Sequence, residues 1–136
     1  MGTVVDPKAA LVRMFEMFAP RESERWTYLL SRDPRKWDKI TPIKIWPGGD
    51  VFASVPNIPL PELLASLPFR SHLQDEVVVL RCGHSRNPGL SVMTLKDVFP
   101  GGEWRYDIVF EGFISVIPGK LAIGLNHEGG VCVFAV

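Results

Sequence analysis

A thiol, an imidazole and two guanidiniums fall within one short stretch, Arg81-Cys82-Gly83-His84-Ser85-Arg86, directly behind the apolar run Val77-Val78-Val79-Leu80. Nearby cations favour a thiolate over a thiol, so Cys82 in such a setting is a candidate nucleophile. His84 is of the type that moves a proton near neutral pH, and Arg86 with the loop amides up to Asn87 could hold an anionic group. The chemistry these residue types allow is sulfur or phosphoryl transfer. The plainer expectation is that Cys82 is a small buried hydrophobe, since cysteine is among the most buried residue types. Arg81 and Arg86 then read as surface charges near Asp75 and Glu76.

The stretch from Asn57 to Phe99 resembles the rhodanese family, in which a short loop that begins with Cys and ends near Arg follows a strand. The resemblance implies a thiol-dependent transfer role for Cys82, with the loop binding the anion. Three features depart from that pattern. Arg86 follows Cys82 after only three residues, Pro88-Gly89 stands where a supporting helix would begin, and no Asp-Xaa-Arg strand end lies upstream. Membership is not assigned on this basis. A metal reading of Cys82, His84, His127 and Cys132 meets a similar obstacle. The spacings Cys-Xaa-His and His-Xaa4-Cys match no common zinc signature, so neither metal nor cofactor is expected. Paired carboxylates, a Gly-rich phosphate loop and a Ser-centred elbow are also missing from the sequence.

The elements that must position this loop can be read from spacing. Ala10, Leu11, Met14, Phe15 and Phe18 recur at helical intervals, with Asp6 as N-cap and Pro7 at the first helical position, predicting a helix over Pro7 to Phe18. Ala19-Pro20 ends it, and Trp26, Leu29 and Leu30 predict a second helix over Glu22 to Ser31. Ile43 and Ile45, the turn Pro47-Gly48-Gly49-Asp50 and the segment Val51 to Val55 predict a hairpin. Leu60 to Leu67 opens like a short helix. Val77 to Leu80 is expected to be a central strand covered on both faces, because its apolar run does not alternate.

Leu90 to Phe99 carries both helical and strand spacing. Trp104 to Phe110 alternates as a strand that continues past a bend at Gly112 to Ile117, and Leu121 to Leu125 with Val131 to Val136 reads as a closing hairpin. Helices come first and strands follow. The expected fold is therefore α+β, with N-terminal helices packed on a largely antiparallel sheet formed mainly by the C-terminal two-thirds. The length of 136 residues suits one globular domain, 1–136.

Fifteen basic residues balance fifteen acidic ones, which argues against a dedicated nucleic-acid binder. The charge is uneven along the chain: residues 1–45 hold nine Lys/Arg against six Asp/Glu, and the remainder six against nine. The basic and aromatic segment 25–44 is the one place where phosphate and base contacts are conceivable, though core anchoring by Trp26 and Tyr28 with solvated Arg and Lys heads is preferred. No basic region precedes an apolar one at the N-terminus, and two cysteines are too few for a disulfide scaffold, so a soluble cytoplasmic protein without a membrane partner is expected.

Four tryptophans are many for a chain of this size, and Trp with Arg is the composition of interface hot spots. The leading functional expectation is accordingly binding of a protein partner, as by an inhibitor or immunity-type protein. Its contact residues would be Arg35, Lys36, Trp37 and Trp46, with Arg81. A Cys82-dependent enzyme using His84 and Arg86 is the alternative, and nucleic-acid binding through 25–44 the third.

Overall fold

The computed structural model describes residues 6–32, 60–66, 68–82, 89–98, 112–125 and 131–136. Helix α1 spans Pro7–Phe18, and it begins where the sequence says it should. The Asp6 carboxylate accepts from the backbone N–H of Lys8 at 3.0 Å and of Ala9 at 3.2 Å, satisfying two of the donors that a helix start leaves without partners. The helix stops at Ala19, whose N–H reaches the Phe15 carbonyl at 2.7 Å. Helix α2 spans Ser23–Leu30 and buries Trp26 and Leu30. Helix α3, Leu60–Ala65, is followed by a single 3-10 turn at Phe69–His72.

Among the described residues five strands follow: β1 Glu76–Arg81, β2 Gly89–Thr94, β3 Gly112–Ile117, β4 Leu121–Leu125 and β5 Val131–Ala135. They pair antiparallel throughout, in the order β2-β1-β3-β4-β5. The fold is α+β, with N-terminal helices and an antiparallel sheet formed by the C-terminal two-thirds. β1 is an interior strand between β2 and β3, and β3 takes the middle position. The segment with both spacings divides at Leu95: Gly89–Thr94 is strand β2, and Leu95–Val98 is one turn of helix, α4. The expected hairpin over 43–55 and the strand over 104–110 lie outside the described residues.

β1 is buried from Val77 to Leu80 because each face of the sheet has its own core. Side chains alternate across a strand, so Val78 and Leu80 face one way and Val77 and Val79 the other. On the first face they join Phe113 and Ala122 beneath Leu11, Met14, Phe15, Trp26 and Leu30 of α1 and α2. On the second, Val77 and Val79 join Ile114, Ile123 and Leu125 with Leu63, Phe69, Leu95 and Val98. A strand buried on both sides has no polar face to show, which explains the unbroken apolar run.

Aromatic rings lock the first layer. Phe15 and Trp26 stack with centroids 4.3 Å apart, and Phe113 meets both edge-on at 5.4 and 5.7 Å. Such pairs contribute on the order of 0.5–1.5 kcal/mol each beyond simple burial. Tyr28 does not share in this core. It is 60% exposed, because a position two residues from Trp26 is turned about 200° around the helix, away from the buried stripe. Among the described residues no helix is long and apolar enough to cross a membrane.

Candidate functional site

The end of the sheet that carries the reactive residues is a single row, Gly89–Arg81–Gly112–Leu125–Val131. β1 finishes there at Arg81 and β2 starts there at Gly89, so residues 83–88 span two strand ends lying side by side. β4 ends and β5 begins in the same row, which brings the strand ends bounding residues 126–130 to it as well. The strand ends that precede and follow His84, Arg86 and His127 in the sequence therefore share one end of the sheet. Those three residues themselves lie outside the described residues, as do Arg35, Lys36, Trp37 and Trp46.

Arg81 is half-buried in that row with a glycine across from it on each side. Its guanidinium donates from Nη1 to the Ser91 hydroxyl at 3.0 Å, a diagonal bond to the neighbouring strand. Burial holds its pKa below the ordinary arginine value, though the group remains a cation at any physiological pH. Gly112 is required by space as well as by conformation. Its φ is 152°, and a side chain there would place a Cβ only 1.9 Å from the Leu80 carbonyl oxygen. The close approach of β3 to β1 at this end therefore needs a residue without a side chain.

Cys82 follows Arg81 by one residue and goes to the other side. It is fully buried, in the cluster formed by the helices and the first face, while Arg81 shares the second face with Val79 and Ser91. Strand alternation thus separates the thiol from the guanidinium that precedes it. Cys132 packs against the same cluster from β5, half-buried, and desolvation pushes its thiol pKa up. Both residues are thiols with no disulfide between them. A thiol raised in this way is less ionised near neutrality than an exposed one, the reverse of an activated nucleophile. Among the described residues no group of three His, Cys, Asp or Glu side chains could hold a metal ion.

Asp75, expected near Arg81, takes a different partner: His72 Nδ1 lies 2.8 Å from its carboxylate. At the opposite end of the sheet, beside the turn from β3 to β4, an open groove of about 300 Å³ is lined by Arg13, Glu16, Met17, Gly119, Lys120 and Val136. Within the basic and aromatic segment 25–44, Tyr28 was expected to anchor the core with Trp26, whereas α2 turns it to the surface. Arg25 and Tyr28 point outward together, and Arg32 lies just past the helix end with its guanidinium carbon 5.9 Å from the centre of the Tyr28 ring. The signal was available in the spacing, since positions 25, 28 and 32 fall on one helical face and Trp26 and Leu30 on the other.

Compared with protein-family models, with curated proteins and with solved structures, the chain matches none.

Proposed function

We propose that this protein acts by binding a protein partner, in the manner of an inhibitor or immunity-type protein, and does no chemistry at Cys82. The observation that carries this reading is the position of the thiol. Catalysis at Cys82 requires access to substrate, whereas its side chain is fully buried among the apolar residues of the first face. Large apolar side chains are instead available to a partner: Met17, Tyr28, Val92, Val133 and Val136 are all exposed. The contact set extends to Arg35, Lys36, Trp37 and Trp46, whose residue types suit a hot spot.

Two measurements test the reading. Iodoacetamide labelling of the native chain, followed by peptide mass spectrometry, should leave Cys82 unmodified until the protein is unfolded. Rapid labelling at neutral pH would restore the enzyme alternative. Trp37→Ala and Trp46→Ala should each keep the melting temperature within about 2 °C of the parent and abolish capture of a partner. A large drop in melting temperature with capture unchanged would assign both tryptophans to the core.

A further inference from the structure

We propose that the outward stripe of α2, Arg25 and Tyr28 continued by Arg32, is a docking surface for an acidic segment of a protein partner. The proposal rests on the protein-binding reading above and adds the chemistry of the partner. Three observations support it. The stripe is opposite the buried residues Trp26 and Leu30, so the helix is held to the core by one face and presents the other. Neither Arg25 nor Arg32 enters an ion pair with a described residue, leaving both cations to a ligand. Arg32 lies over the Tyr28 ring, which restrains a long side chain before binding and lowers the entropy lost when it engages a carboxylate.

The spacing sets the scale of the ligand. Arg25 lies one turn before Tyr28 and the Arg32 guanidinium folds back over the same ring, so two cations flank one aromatic contact and suit neighbouring carboxylates of one short segment. Tyr28 lies between them as a large apolar contact with few rotatable bonds. Arg21, just before the helix, is also exposed and adds a third cation, while the exposed Glu24 lies on the flank of the stripe and Glu22 is half-buried. Single-stranded nucleic acid is the less suitable occupant. The whole chain carries no net positive charge, and Arg32 over the Tyr28 ring leaves at most one face of a single exposed ring for a base.

Fluorescence anisotropy at low salt tests the proposal, with a fluorescein-labelled Glu-rich peptide as probe and oligothymidylate as competitor class. The 136-residue chain should bind the peptide more tightly than the oligonucleotide. The double variant Arg25→Gln/Arg32→Gln should weaken peptide binding by about tenfold, and Tyr28→Ala by about threefold, with unchanged melting temperatures. As a charge-matched control, Lys8→Gln/Arg70→Gln removes two exposed cations elsewhere and should change affinity less than about twofold. Equal losses in stripe and control variants, tighter binding of the oligonucleotide, or no peptide binding would each overturn the assignment. If any of these occurs while capture still depends on Trp37 and Trp46, the stripe assignment fails and the protein-binding reading stands.

Discussion

A hydroxyl group is the most exposed weakness of the core at the level of single residues. Ser115 is 1% exposed on the helix-covered face of β3, and its Oγ has no hydrogen-bond partner. Its cross-strand neighbours are Val78 and Ala122, whose side chains can neither accept nor donate. A buried unsatisfied hydroxyl costs about 1–3 kcal/mol. Ser115→Ala should therefore stabilise the protein by roughly 1 kcal/mol and raise the melting temperature by about 4 °C in calorimetry; a lower melting temperature would mean the hydroxyl is used. Cys132 gives a pH-dependent prediction. Its pKa is higher folded than unfolded, so the native state keeps the proton while the unfolded chain loses it, and stability falls as pH rises above the free thiol value of about 8.5. Urea titrations from neutral to alkaline pH should show this decline, and Cys132→Ala should flatten the part of it due to the thiol.

Among the elements, β3 has the strictest local requirement. Gly112 opens it beside Leu80 and Arg81, and the 1.9 Å approach of a notional Cβ to a backbone oxygen leaves no rotamer to relieve the clash. Gly112→Ala should destabilise by more than about 3 kcal/mol, because backbone must move and the β1–β3 register at that end must shift. Denaturant midpoints measure the loss, and a change below about 1 kcal/mol would show that β3 can withdraw from β1 at little cost. That Gly112 is a special position was legible in the sequence, since Gly interrupts a strand pattern where backbone approaches closely, while the bend expected there involves 104–111, which lie outside the described residues. The start of α1 was legible for a comparable reason: Asp6 and Pro7 act on their nearest neighbours alone. The division of Leu90 to Phe99 at Leu95 was not. Its spacing satisfied both periods, and pairing of Gly89–Thr94 with β1 decided between them.

For the whole molecule, Phe15, Trp26 and Phe113 join α1, α2 and β3 across nearly the length of the chain. Trp26→Ala should cost about 3–5 kcal/mol and lower the melting temperature accordingly, since it removes a buried ring stacked on Phe15 and edge-on to Phe113. A loss under about 1 kcal/mol would mean the helices are held to the sheet by other contacts. What the sequence determined by itself was local or periodic. Helix starts and stops, a strand covered on both faces and the order of helices before strands all follow from nearest-neighbour preferences and from the 3.6 and 2.0 repeats. The candidate site was legible only as a list of residue types. Adjacent Arg81 and Cys82 read as partners along the chain, yet strand pleating sends the cation to one face and the thiol into the core on the other. Exposure of Tyr28 and burial of Cys82 depend on which faces α2 and β1 turn toward the rest of the chain. That choice was made by long-range packing of α1, α2 and five paired strands, because free energy is gained by burying whole faces and not by any one residue in isolation.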